Sequence, residues 1–62
     1  MKKWKYMRMT TDGTTVKRFD GYEAAGPLKE FVALERLGEQ GWELVTVVPH
    51  ENNFVFFFRQ SE

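Results

Sequence analysis

A helical pattern changes to a strand pattern within residues 37–45 of this 62-residue chain. Before this point, apolar residues recur three apart, as they do on one face of a helix: Leu28, Phe31, Leu34 and Leu37. Gly41 has the position just past a helix end, where the backbone takes a positive φ that glycine adopts without strain. The segment therefore predicts a helix over residues 27–39, beginning at Pro27, and a strand over residues 42–48.

The residues before the helix indicate a β-hairpin. Residues 3–9 alternate, so Trp4, Tyr6 and Arg8 should share one side of a strand. An Asp-Gly turn follows this strand, and residues 14–19 are rich in β-branched side chains, as is typical of a returning strand.

A second hairpin is predicted after the helix. Pro49 is expected to end the third strand, with Asn52 and Asn53 supplying the positive φ values of the turn, and residues 54–60 form a fourth strand. The order is then β-hairpin, helix, β-hairpin. This predicts a single α+β domain over residues 1–62, with a four-stranded, mainly antiparallel sheet and one helix packed on one face.

The last two predicted strands are apolar on both faces, although a sheet with one solvated face should alternate apolar with polar residues. One helix covers only one face, so the other should expose an apolar patch, which usually marks an interaction site. The predicted patch contains Val45, Val47, Val55 and Phe57, or else the side chains of the same two strands that point to the other face. It is either an interface between copies or a surface covered by the N-terminal segment or the loop over residues 20–26.

The composition also favours self-association. A chain this short buries only about 60% of its unfolded surface, and small scaffolds usually add disulfides, a metal or a partner chain. There is no cysteine and only one histidine, so we expect no disulfide, no metal and no cofactor. Glu35 lies within the apolar arc of the helix, where it either contributes to an interface or reaches water between two apolar patches.

Charge is unevenly distributed although the net charge is zero. Residues 1–18 carry six basic and one acidic side chain, net +5, and residues 19–62 carry three basic and eight acidic, net −5. One interpretation is a basic, aromatic site for an anionic ligand. The other is a solvated edge strand whose lysines discourage aggregation. The candidate ligand-binding residues are Trp4, Tyr6, Arg8, Lys17, Arg18 and Tyr22.

Residues 34–45 resemble the signature of a family of very small bacterial and phage domains of unknown function, Leu-Gly-x-x-Gly-Trp-Glu-Leu-Val. Members begin with a lysine- and aromatic-rich strand and end with a hydrophobic strand that closes on a basic residue, as this chain does. The resemblance implies a compact α+β domain and brings no catalytic residues. The chain departs from the family in the loop over residues 20–27, which is longer.

Four residues of this signature have predicted structural roles. Gly41 turns the chain, Trp42 packs the helix end onto the sheet, and Leu44 begins the third strand. Gly38 lies in the last helical turn, where it costs about 1 kcal/mol relative to alanine. A glycine kept at that cost is expected to let the helix approach another backbone closely.

The predicted function is non-enzymatic, because no nucleophile, triad or phosphate-loop spacing occurs. We expect a cytoplasmic homo-oligomer, a homodimer or larger, that sequesters an anionic, nucleotide-like small ligand in pockets between copies. By analogy only, small phage proteins sequester nucleotide signals in this way. The alternative is a protein-interaction or structural module that uses the uncovered sheet face. No signal peptide or membrane segment is expected, and zero net charge argues against nucleic acid.

Overall fold

A computed structural model of the chain describes residues 3–23 and 28–62. The four strands form one antiparallel sheet in the order β2-β1-β4-β3, with one helix on one face. The predicted α+β fold and its ββαββ order are therefore confirmed. The elements are β1 (Trp4–Thr11), β2 (Val16–Asp20), α1 (Glu30–Glu39), β3 (Glu43–His50) and β4 (Asn53–Ser61).

The core lies between α1 and the two central strands. Ala33 and Leu37 are the buried residues of the helix. The alternation predicted for the first and fourth strands is confirmed, because every second residue of each central strand faces the helix. The buried apolar side chains from these strands are Met7, Met9, Phe56 and Phe58.

The helix begins at Glu30, so the predicted start at Pro27 is wrong in its boundary, and Pro27 itself lies outside the described residues. Residues 28 and 29 are held by the first hairpin instead of entering the helix. The amide of Val16 donates to the carbonyl oxygen of Leu28 at 2.8 Å, and the amide of Glu30 donates to that of Thr14 at 2.8 Å. Lys29 is accordingly extended, with φ −77° and ψ 147°.

The predicted helix end is confirmed at Gly41, whose φ is +88°. The amide of Trp42 donates to the carbonyl oxygen of Leu37 at 2.9 Å, and the amide of Gly41 donates to that of Gly38 at 3.0 Å. These two bonds form a Schellman motif, which satisfies carbonyls that the helix leaves unpaired. Trp42 is half-buried and packs against the core, as its predicted anchoring role requires. The close approach expected at Gly38 is not found within one copy, because a Cβ there would have no described heavy atom within 4 Å.

Strand β3 contains a bulge that the sequence pattern did not indicate. Leu44 pairs with Phe58 but Thr46 pairs with Phe57, so Val45 is an extra residue and the side-chain alternation shifts after it. The helix side of β3 therefore carries Leu44 and Val47. This corrects the prediction that Val45 and Val47 share a face with Val55 and Phe57.

Pro49 lies within β3, opposite Phe54, so the prediction that it ends the strand is wrong. β3 is an edge strand, where the missing N–H of proline is tolerated. The turn is shorter than predicted, because His50 pairs with Asn53 and only two residues remain between them. Its positive φ, +57°, belongs to Glu51 and not to an asparagine.

We expect Glu51→Gly to raise the free energy of unfolding by about 1 kcal/mol, since glycine removes the side-chain clash of a left-handed residue. Asn52→Gly is the matched control, because Asn52 has no positive φ and glycine there only adds backbone entropy to the unfolded chain. Both side chains are exposed, so few contacts are lost. Urea denaturation should show a higher free energy of unfolding for Glu51→Gly and a lower one for Asn52→Gly. Changes of the same sign in the two variants would refute the strain at Glu51.

A candidate anion-binding surface on the open face of the sheet

The sheet surface opposite α1, called here the open face, presents charged and apolar side chains from all four strands. The register fixes its membership, because Arg8 pairs with Asp20 and Phe57, and Thr10 pairs with Arg18 and Val55. The remaining members follow from the same alternation. They are Trp4, Tyr6 and Arg59 at one end, Glu43, Thr46 and Val48 along β3, and His50 near the other end.

A bulge in β2 gathers basic side chains at one end of the open face. Thr10 pairs with Arg18 and Thr11 pairs with Val16, which leaves Lys17 as the extra residue. A bulge re-aims side chains that regular alternation would send to opposite faces. Both Lys17 and Arg18 consequently line the same depression as Arg8.

This depression has a volume of about 450 Å³ and is open to solvent. It joins β2, β1, β4 and the end of β3. Because Pro49 was expected to end the third strand, His50 fell within the predicted turn and was not included in a site. The sequence signal that could have identified His50 is Pro49. Proline is compatible with an edge strand, so the third strand can continue two residues further, to His50. The lining residues are Arg8, Thr10, Lys17, Arg18, His50, Asn53 and Val55.

Two aspartates hold the basic groups in place. Asp20 Oδ2 lies 3.1 Å from Arg8 Nε and 3.4 Å from Arg18 Nε, and Asp12 Oδ2 lies 3.9 Å from Lys17 Nζ. These pairs are largely exposed, and exposed pairs contribute little to stability. An anion can therefore compete with the aspartates for the same cations at small energetic cost.

Asp12 also organises the first turn. The amides of Thr15 and Thr14 donate to its Oδ1 at 2.8 and 2.9 Å. These bonds, from Thr15 first and then Thr14, together with the nearby Lys17 ammonium, lower the pKa of the Asp12 carboxyl from its ordinary value. The carboxylate thus stays charged and helps to position Lys17 beside the depression.

An apolar area adjoins the basic end of the open face. Phe57 lies directly opposite Arg8 in the neighbouring strand, so an exposed ring and a guanidinium stand side by side. Tyr6 is also exposed and lines a shallow recess with Arg8 and Phe57. This arrangement can contact a flat apolar group and an anionic group at once.

The remaining predicted ligand-binding residues lie elsewhere. Trp4 is on the open face but at the end opposite Lys17, with the guanidinium carbon of Arg59 4.2 Å from its ring centroid. Arg59 Nη2 also donates to Glu43 Oε1 at 3.3 Å. Tyr22 is not on the open face, so within one copy it lies apart from Arg8. Its hydroxyl donates to Gln40 Oε1 at 2.8 Å beneath the end of α1.

The predicted interface residues are likewise divided. Val55 and Phe57 lie together on the open face, next to Arg8. Val47 faces the helix side, and Val45 is displaced by the bulge. Glu35 is exposed on the surface of α1 that points away from the sheet. These five residues therefore do not form one patch within a single copy.

Residues 3–23 and 28–62 are the part of the chain that the structure describes. In that part of the chain, no group of three or more His, Cys, Asp or Glu side chains could hold a metal ion. No helix there has the length and apolar character needed to cross a bilayer. No protein-family model, curated protein or solved structure matches this chain.

Proposed function

We propose that this protein is a cytoplasmic, homo-oligomeric binding protein that sequesters an anionic, nucleotide-like small molecule on its open face. The observation that carries the proposal is the β2 bulge, which brings Lys17 and Arg18 to the same depression as Arg8. Three basic side chains from two adjacent strands then surround one concave surface. An adjoining aromatic ring, that of Phe57, extends this surface toward the centre of the sheet.

The chemistry of these groups suits a phosphate attached to a ring system. A guanidinium presents paired N–H donors that match two oxygens of a phosphate or carboxylate, while an ammonium supplies a compact positive charge. Aromatic side chains stack on nucleobases with little dependence on the base. Arg8 is central, because it borders both the depression and the recess beside Phe57.

A single open face contacts a ligand from one side only. Small-molecule sites usually bury most of the ligand surface, so sequestration calls for a second wall. A second copy would supply that wall in the proposed pocket between subunits. The expected stoichiometry is one ligand for two copies where the shared pocket lies on the two-fold axis, and one ligand per copy where it lies off that axis.

The two arginine side chains of the depression favour binding over catalysis. Arginine remains protonated at physiological pH and therefore cannot exchange protons with a substrate. The two arginines of the depression are also paired with Asp20, an arrangement that positions charge. We accordingly propose no reaction for this site.

Arg18→Glu is expected to weaken the binding of ADP by about 10-fold or more, since one charge-assisted contact contributes about 1.5–3 kcal/mol. Isothermal titration of the purified protein with ADP, pyrophosphate and adenosine would measure this loss. We expect ADP to bind most tightly, because it alone carries both phosphates and a base. Native mass spectrometry of the freshly purified protein would give the stoichiometry and any retained ligand.

Lys29→Glu is the matched control for this experiment. It changes the net charge by the same amount, but Lys29 precedes α1 and lies outside the depression. The affinity of the Lys29→Glu variant for ADP should equal that of the wild type. Equal ADP affinities of the wild type and Arg18→Glu would refute the basic site. If the wild type bound no member of a wider nucleotide panel, the proposal of a nucleotide-like ligand would be refuted.

A second candidate function is a protein-interaction or structural module that uses the open face without a small ligand. The exposed side chains of Tyr6, Val48 and Phe57 favour it, because they form an apolar area on one surface of the sheet. Under this alternative the protein binds none of the nucleotides, and Arg18→Glu leaves its self-association unchanged.

A further inference from the structure

His50 stands on the β3 side of the depression, where the sheet pairing holds it. Strand β3 continues through Pro49, and His50 pairs with Asn53 at the end of the strand. This pairing places His50 on the open face, two residues along from Val48 on the same side of β3. The imidazole therefore has a defined place in the sheet, although the chain turns immediately after it.

The depression crosses the whole width of the sheet. Thr10 and Val55 are cross-strand partners on the two central strands and lie at its centre. Arg18 pairs with Thr10 on one side, and Val48 pairs with Val55 on the other. Three strand spacings of about 4.8 Å separate β2 from β3, so these two walls stand about 14 Å apart at the backbone. Long side chains that reach inward from both walls can contact one ligand between them.

His50 also borders the apolar part of the open face. A second recess of about 240 Å³ adjoins the depression and extends to Val48 and Phe57. The two recesses share Arg8, His50 and Val55. Of these three, Arg8 and His50 can carry a positive charge. His50 thus lies where an anionic group and an attached ring would meet the protein together.

We propose that His50 contacts the anionic ligand from the β3 side of the depression, and that its protonation strengthens binding as the pH falls. The inference rests on the proposed function, because it assigns a further contact residue to the same site. Histidine is the side chain whose charge ordinarily changes between about pH 5 and 8. The neutral imidazole donates one hydrogen bond, whereas the imidazolium donates two and carries a positive charge.

Three cations of β1 and β2 line the depression together with His50. They are Arg8, Lys17 and Arg18. The carboxylates that pair with them, those of Asp12 and Asp20, do not line the depression. A fourth cation on this surface is repelled by the other three until an anion lies among them. Ligand and proton therefore stabilise each other, and the coupling between them is reciprocal.

The other elements bring neutral or distant groups toward His50. The two residues of β4 that line the depression are uncharged. Glu43 is paired with Arg59 at the opposite end of the open face, and α1 packs on the other side of the sheet. Glu51 follows His50 in the exposed turn and supplies one negative charge against the three positive ones. The charge of His50 therefore adds to a surface that is already basic.

His50→Gln tests the inference with little risk to the fold, because the side chain is exposed. Glutamine keeps a neutral hydrogen-bonding group that takes up no proton in this range. Isothermal titration with ADP near pH 8 should give nearly equal affinities for the wild type and the variant. Near pH 5.5, where imidazole is ordinarily protonated, the wild type should bind about 10-fold more tightly, the size of one charge-assisted contact.

The ratio of the two affinities isolates the imidazole from the ligand. The terminal phosphate of ADP also gains a proton as the pH falls, and this change affects both proteins. A second measurement uses the single histidine of the chain, whose ring signals in a proton NMR spectrum are unambiguous. ADP should shift these signals if His50 contacts the ligand.

Two further variants separate charge from position. His50→Arg carries a permanent charge and should bind ADP near pH 8 about 10-fold more tightly than the wild type. Ser61→His in the His50→Gln background is the matched control, because Ser61 is exposed at the opposite end of β4. This double variant regains a titrating histidine away from the depression, so its affinities should equal those of His50→Gln at both pH values.

The outcomes distinguish this inference from the proposed function. Equal ADP affinities of the wild type and His50→Gln near pH 5.5 would overturn the role of His50 and leave the binding site standing. Recovery of the wild-type pH dependence by Ser61→His would also overturn it, because any added charge would then suffice. If the wild type bound no ADP at either pH, the inference would fall together with the ADP binding expected of the proposed function.

Discussion

Leu37→Ala is expected to lower the free energy of unfolding by about 2–5 kcal/mol, the usual cost of truncating a buried leucine. Leu37 is only 1% exposed and belongs to the cluster of Met7, Met9, Phe56 and Phe58. Its carbonyl also accepts the hydrogen bond that closes the end of α1. A domain of this length has roughly 3–9 kcal/mol of stability in total, so the variant should be largely unfolded in mild urea.

Urea denaturation followed by far-ultraviolet circular dichroism measures this loss. Val32→Ala is the control, since it truncates an exposed apolar residue of the same helix. We expect it to change the stability by less than 1 kcal/mol, as surface substitutions usually do. If Leu37→Ala lost no more than Val32→Ala, Leu37 would not be the centre of the core.

Gly41→Ala is expected to cost about 1–2 kcal/mol, because the φ of +88° places the Cβ of an L-residue against the backbone. Space is not the cause. A Cβ at Gly41 would lie 3.8 Å from Gln60 Nε2, an ordinary contact distance. The cost thus measures the left-handed conformation that closes the helix, separately from packing.

Gly41→Asn distinguishes this cause from helix propensity. Asparagine tolerates the left-handed region better than alanine but is the poorer helix former. We therefore expect Asn to retain more stability than Ala. Thermal unfolding resolves the order, since 1 kcal/mol shifts Tm by about 4–8 °C in a domain of this size. The reverse order would indicate that residue 41 behaves as part of the helix.

Local sequence patterns were sufficient to predict the order of elements in this fold. The three-residue spacing of apolar side chains marked the helix, and the glycine at position 41 marked its end. Alternation correctly grouped the side chains that share a face in β1 and in β4, but it left open which of the two faces the helix covers. Each of these signals acts within a few residues.

Features set by sheet position were not predictable in this way. β3 is apolar on both sides, so its sequence does not reveal the one-residue shift at Val45. Pro49 resembles a strand end unless β3 is known to lie at the edge. The start of α1 was missed because hydrogen bonds to the first hairpin hold residues 28 and 29 in an extended conformation.

The candidate site was predicted in part for the same reasons. Arg8, Lys17 and Arg18 were identified from charge, and the structure brings them to one depression. Their convergence depends on the bulge at Lys17, which residue types alone did not indicate. Tyr22 was grouped with them by composition, but it packs against Phe19 and Trp42 on the helix side.

The pairing of β1 with β4 also determines how the chain can reach this fold. The strands furthest apart in the sequence form the centre of the sheet, in register from Trp4 and Ser61 to Thr11 and Phe54. Each hairpin alone supplies only one of the two central strands that pack against the helix. Neither hairpin can therefore form the core by itself. The chain must close a long loop before hydrophobic burial offsets the lost entropy, and such non-local topologies fold slowly. We therefore expect the pairing of β1 with β4 to limit the rate of folding.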